Sequence, residues 1–172
     1  TRRSSGLSVT ASITETSGPV SICVGFFGEG PANLEIFCAS IKTPDRMRAK
    51  IGKYIAPHPA CRWPLTANIM DPVRVTLVCS GPNHLLQTVR WFVASQAQSG
   101  LTVSRIKNKF LLPESEVQDG YRDVTINVVF EDESGLKIIG EIQVQDRKLH
   151  DLKYCMHKLY KVKRANNPNS IT

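Results

Sequence analysis

The segment "DVTINVVFEDESGLKIIGEIQVQ", residues 123–145, constrains the fold more than any other stretch of the chain. Two runs rich in β-branched residues flank "EDESG", an acidic turn signal that ends in glycine, and this predicts an antiparallel β-hairpin. Strand side chains alternate, so parity sorts them into faces. Val124, Ile126, Val128 and Phe130 fall on one face; Tyr121, Asp123, Thr125 and Asn127 fall on the other. In the second strand Ile138, Gly140, Ile142 and Val144 share a face, with Ile139, Glu141, Gln143 and Gln145 opposite. The apolar face is expected on a core and the polar face outward, either as a solvated surface or as a binding surface. Glu141 stands mid-strand, where a fixed carboxylate can hold a metal or take a proton. Tyr121 follows Gly120, and its ring is a platform on which a base can stack.

Around the hairpin the chain reads as alternating strands and helices. "VSICVGFF" and "LEIFCASI" are strand candidates. In "TPDRMRAKIGKYI" Thr43 is a good N-cap, Pro44 suits the first helical position and Asp45 complements the dipole. Met47, Ile51, Tyr54 and Ile55 form one face of that helix, with Arg46, Lys50 and Lys53 on the other. "APHPACRWP" is a loop, and "VRVTLVC" a strand. A second helix is expected from about Asn83, its N-cap, with Leu85, Leu86, Val89, Phe92 and Val93 buried and Gly100 as its stop. "LTVSRIKNKFLL" is a basic strand candidate. A last helix is expected over 149–164, with Leu149, Leu152, Met156 and Leu159 inward and a stripe of Lys153, His157, Tyr160 and Arg164. Residues 1–18 are a Ser/Thr-rich lead-in expected to be flexible, and 166–172 a frayed tail. The order predicts one α+β domain with a mixed sheet over 19–165.

The remaining signals mostly exclude. Five cysteines, never in a C-x-x-C pair, argue against a zinc ribbon or a secreted disulfide scaffold. Buried free thiols point to an intracellular reducing compartment, the cytoplasm or an organelle. "GFFGEG" lacks the Lys-Ser/Thr of a P-loop, no nucleophile-elbow motif occurs, and no apolar run is long enough for a membrane helix. The net charge of +7 favours polyanionic partners: nucleotides, RNA or an acidic protein face.

The chain resembles a RelA/SpoT-type nucleotidyltransferase domain, the synthetase module of alarmone metabolism. The resemblance rests on "IKTPDRMRAKI", "DPVRVTLVC", "RIKNKF", "DGYRD", "GEIQVQ" and "KYCMHKLYKVKR", in that order across residues 34–164. It implies a mixed sheet flanked by helices and pyrophosphate transfer from ATP, as donor, to the ribose 3′-hydroxyl of GDP or GTP with Mg²⁺. It further implies that Tyr121 stacks the guanine and that Glu141 is the catalytic and metal-associated carboxylate. Asp71 is the second candidate metal ligand, and Lys42, Arg46, Arg74, Lys107, Arg122 and Gln143 are candidate nucleotide and phosphate contacts. Four family positions differ here: Ser40 replaces an arginine, Ile69 the metal aspartate, Thr125 a histidine and Gln145 an arginine. Two functions follow: an ATP-dependent transferase, or a catalytically degenerate module serving as a structural or RNA-binding subunit.

Overall fold

In a computed structural model the hairpin forms the middle of a six-stranded sheet. The structure describes residues 20–25, 31–55, 63–94, 96, 100–117 and 120–164; the lead-in over 1–18, "GFFGEG" beyond Gly25 and the tail over 166–172 lie outside the described residues. The strands are β1 (Val20–Gly25), β2 (Pro31–Cys38), β3 (Val73–Cys79), β4 (Leu101–Asn108), β5 (Val124–Glu131) and β6 (Lys137–Asp146). The helices are α1 (Pro44–Ile55), α2 (Pro82–Ala94) and α3 (Arg147–Arg164). The strand order is β1-β2-β3-β6-β5-β4, with β3 and β6 parallel and every other pair antiparallel. This is the expected α+β fold with a mixed sheet flanked by helices.

The β5–β6 hairpin closes as its sequence predicts. Asp132 Oδ1 accepts from the backbone N–H groups of Ser134 and Leu136, each at 2.9 Å, and Gly135 takes a φ of +83°, which favours glycine. Val124, Ile126, Val128, Ile142 and Val144 form the core with Leu34, Leu77, Cys79 and Phe92, packed further by Leu85, Val89 and Trp91 of α2. Burying each such branched side chain contributes about 1.5–3 kcal/mol. Phe130 and Ile138, paired across the hairpin near its tip, are half-exposed instead of buried.

Several expectations are corrected. The polar face of the hairpin does not point outward: Asp123 and Gln145 are 0% exposed and Asn127 2%. It is covered because the chain before β3 and helix α3 lie over it. Asn127 Nδ2 donates to the Met70 carbonyl at 3.1 Å, and Lys153 Nζ of α3 donates to Gln143 Oε1 at 3.3 Å. Helix α2 begins at Pro82, so Asn83 is inside the helix, and the Gly81 carbonyl accepts the Leu85 N–H. Its buried positions include Gln87 and Thr88, whereas Leu86 and Val93 are exposed. Thr88 is accommodated because its hydroxyl donates to the His84 carbonyl and meets Cys79 Sγ. On the other helices Ile55 and Leu152 are exposed, and α3 starts at Arg147, its Lys148 N–H held by Asp146. The expected cap of α1 holds, with Thr43 Oγ1 accepting from the Arg46 N–H. Cys79 is buried, but Cys38 and Cys155 are exposed free thiols. Among the described residues no helix is long and apolar enough to cross a membrane.

Candidate functional site

Register, read across the sheet, assembles the site. Arg105 of β4 pairs with Asn127 of β5, Asn127 with Glu141 of β6, and Glu141 with Arg74 of β3. In-register neighbours share a face, so these four side chains form one row across four strands. A second row runs Lys107, Thr125, Gln143 and Thr76. The parallel β3–β6 pair is decisive, because it sets Arg74 beside Glu141 although the two are far apart in sequence.

At one end of the rows the segment leading into β5 turns over the face. Gly120 adopts a φ of +69°, and Tyr121 follows it. Lys153 Nζ donates to Tyr121 Oη at 2.9 Å and lies 4.3 Å from the ring centroid, while Lys109 Nζ lies 5.1 Å from it. Both distances are within cation–π range. Burial, with the neighbouring Asp123 charge, drives the Tyr121 hydroxyl well above its ordinary value, so it stays protonated. Burial pulls the Lys153 ammonium below its ordinary value. Lys109 Nζ pairs with Asp123 Oδ1 at 2.8 Å. Asp123 Oδ2 and Gln145 Oε1 are buried acceptors without a hydrogen-bond partner among the described residues.

A chain of side-chain hydrogen bonds links this end to Glu141. Gln143 Nε2 donates to Glu141 Oε1 at 2.8 Å, and Gln143 Oε1 accepts from Lys153 Nζ at 3.3 Å and from Gln145 Nε2 at 3.2 Å. These partners fix the orientation of the Gln143 amide.

The third part lies where the loop before α1 meets the approach to β3. Lys42 Nζ donates to Asp71 Oδ2 and Lys50 Nζ to Asp71 Oδ1, each at 2.5 Å. Burial alone would raise the Asp71 carboxyl, but the bonds from Lys42 and Lys50 outweigh it and hold it below the usual carboxylate range. Burial lowers Lys50, and its bond to Asp71 wins, leaving the ammonium above its ordinary value. Glu141 adds to that upward pull on Lys50, so the Asp71 cluster and the Glu141 row belong to one electrostatic neighbourhood.

The structure therefore brings together Glu141, Arg74, Gln143, Tyr121, Lys42 and Asp71, with Lys107 beside them on β4. Arg46 is on the exposed side of α1. Arg122 has a different employment from the phosphate contact expected: its Nη1 donates to the carbonyls of Lys109 at 2.7 Å, Phe110 at 3.3 Å and Leu112 at 2.8 Å. It fastens the 109–112 loop. Sequence reasoning passed over Lys50, Lys109, Asp123 and Lys153 as site residues. The parity that groups Lys107 with Arg105 also includes Lys109, and that signal was available.

The magnesium that the resemblance implies finds only a partial fit. Mg²⁺ needs one or two protein carboxylates, completed by phosphates and waters. Glu141, half-buried beside the phosphate-binding candidates, suits that role. Asp71 does not in this arrangement, because both its oxygens are taken by ammonium groups. No cluster of three or more His, Cys, Asp or Glu residues able to hold a metal occurs among the described residues.

No protein-family model matches the sequence. No curated protein matches it in sequence either. Solved structures do match in fold. Small alarmone synthetase 1 from Bacillus subtilis, bound to its product pppGpp, superposes with a TM-score of 0.56 at 17% identity over 79% of this chain and 66% of that one. A second structure of the same synthetase gives 0.57 at 18% identity over 79% and 66%. Small alarmone synthetase 2 from Bacillus subtilis gives 0.56 at 16% identity over 79% and 67%. The chain thus spans just under two thirds of small alarmone synthetase 1. At these identities the likeness establishes the fold, and it is the RelA/SpoT-type synthetase fold that the motif order resembles.

Proposed function

We propose that this domain binds a nucleoside triphosphate and transfers its terminal pyrophosphoryl group to a hydroxyl of a second nucleotide. The observation that carries the reading is the row Arg74–Glu141–Asn127–Arg105, in which a half-buried carboxylate stands between an exposed arginine and a buried asparagine, with a second exposed arginine at the end of the row. The shared fold supports it.

In this reading ATP is the donor and a guanine nucleotide the first acceptor to try. The acceptor oxygen bonds to the β-phosphorus of ATP, the bridge from that phosphorus to the α-phosphate oxygen breaks, and AMP leaves. Glu141 takes the proton from the acceptor hydroxyl, a task its fixed place between Arg74 and Asn127 suits. Arg74, Lys42 and Lys107 steady charge on the transferring group. Gln143, bonded to Glu141 and Lys153 together, keeps the base aligned with the acceptor side. Tyr121 forms the wall for the acceptor base, which has to share its ring with Lys153. A magnesium ion held at Glu141 would neutralise phosphate charge.

The test is incubation with labelled ATP, magnesium and each of GDP, GTP, ADP and RNA, with Glu141→Gln as control. Product that disappears in the variant supports transfer. A second reading, a nucleotide-fold module that binds RNA without turnover, is favoured by Ser40, Ile69, Thr125 and Gln145 standing at the four family positions. Absence of product, together with salt-sensitive RNA binding indifferent to Glu141→Gln, would replace the first reading with the second.

A further inference from the structure

We infer that Asp71 is a built-in surrogate for a phosphate group, and that the Lys42–Lys50 pair it bridges loads a polyphosphate only by exchanging partners. The inference rests on the nucleotide-binding reading above and goes beyond it in assigning Asp71 a role that opposes binding.

The geometry is specific. Each oxygen of one carboxylate faces one ammonium at 2.5 Å, which is how two lysines grip neighbouring oxygens of a phosphate. The three side chains are largely enclosed, at 15% exposure for Lys42, 31% for Lys50 and 13% for Asp71. The backbone on both sides fixes the arrangement. The Lys42 N–H donates to the Pro72 carbonyl at 3.0 Å, the Ala39 N–H to the Arg74 carbonyl at 3.1 Å, and Asn127 holds the Met70 carbonyl at 3.1 Å.

Two enclosed ammonium groups repel each other unless an anion lies between them. In the unliganded chain that anion is Asp71. A linear polyphosphate, the part of a nucleoside triphosphate recognised by charge, presents the same oxygens with more charge behind them. It must first displace the carboxylate, and Asp71 therefore keeps the cradle assembled and lowers its affinity for the ligand. This also accounts for why Asp71 offers no oxygen to a metal as it stands.

The test is calorimetric titration of inorganic tripolyphosphate in EDTA against the wild type, Asp71→Asn, and Asp71→Asn combined with Lys50→Gln. Losing a competitor held by charge-assisted bonds should tighten binding to Asp71→Asn by at least about tenfold, and the added Lys50→Gln should abolish the gain. Equal or weaker binding by Asp71→Asn overturns the inference. The wild type supplies an independent arm that does not depend on the variant folding. Carbodiimide should cross-link Asp71 to Lys42 or Lys50, and saturating tripolyphosphate should remove that product while the exposed Lys137–Glu131 pair, at 3.1 Å, still cross-links. A persistent Asp71 cross-link at saturation also overturns it. Titrating ATP in parallel separates this idea from the function proposed above. If tripolyphosphate tightens on Asp71→Asn but ATP binds none of the proteins, the surrogate stands and the nucleotide reading falls. If ATP binds and turns over on the wild type with no gain in the variant, the nucleotide reading stands and the surrogate falls.

Discussion

On one side of the β5–β6 hairpin, Ile126, Val128, Ile142 and Val144 meet Phe92, Leu85 and Val89 of α2. On the other, Thr125, Asn127, Glu141 and Gln143 of the same two strands meet the Met70 carbonyl and Lys153 of α3. The first is withdrawn from water by hydrocarbon packing; the second is withdrawn at Thr125 and Asn127 and half-buried at Glu141 and Gln143, through hydrogen bonds and ion pairs. The first is non-directional and tolerates any apolar side chain of fitting volume. The second is high-stakes, because each enclosed polar group needs its own partner and a missing one costs stability. Asp123 Oδ2 and Gln145 Oε1 are two buried acceptors of this face without a hydrogen-bond partner among the described residues. The apolar face holds the fold together, and the polar face is the one on which the function proposed above depends.

That division can be broken by substitution. Glu141→Gln should lower turnover by about 10²–10⁴-fold while leaving the urea midpoint nearly unchanged, since the amide replaces the carboxylate at similar size. A midpoint that falls as steeply as the rate would make Glu141 structural. Ile126→Ala should do the reverse, costing about 2–5 kcal/mol in urea unfolding with the folded fraction keeping its ligand affinity. Tyr121→Ala should weaken binding of the acceptor nucleotide by about 1–3 kcal/mol if a base stacks there. Unchanged affinity by calorimetry would leave Tyr121 as a partner of Lys153 only.

A smaller effect is expected in acid. A carboxylate whose folded pKa is depressed adds stability above its unfolded value, near about pH 4, and loses it as pH falls through the lower folded value. Asp71 is such a group, so wild type should be more stable than Asp71→Asn near neutrality, and the gap should close below about pH 4. Unfolding midpoints measured across that range check it; a gap that stays constant would mean the grip of Lys42 and Lys50 is not its source.

The sheet was largely legible in the sequence because period-two alternation and turn chemistry are local signals. "VRVTLVC" and the hairpin appear where the pattern puts them. The fate of the polar face was not legible, because alternation distinguishes two faces without saying what covers either. Asn127 became buried through the Met70 carbonyl, 57 residues away in sequence. On α2, Leu86 is exposed against expectation while Thr88 is buried, since a threonine that returns a hydrogen bond to its own helix is cheap to bury. The mid-strand place of Glu141 marks it as a candidate in the sequence, whereas Lys153 reads there as one charge in a stripe. Its meeting with Tyr121 depends on how α3 crosses the sheet, which helical spacing does not encode.

The three carbonyls held by Arg122 have a consequence for motion. They tie the 109–112 loop to the residue beside Tyr121, so the wall carrying the aromatic ring is anchored from behind by one guanidinium nitrogen shared among three carbonyls. A wall fastened in this way is a poor candidate for a moving gate. In the function proposed above, an acceptor base reaching the ring would have to displace Lys153, which lies over it. The ring is the fixed side of that contact and Lys153, on a four-carbon stem, the adjustable one.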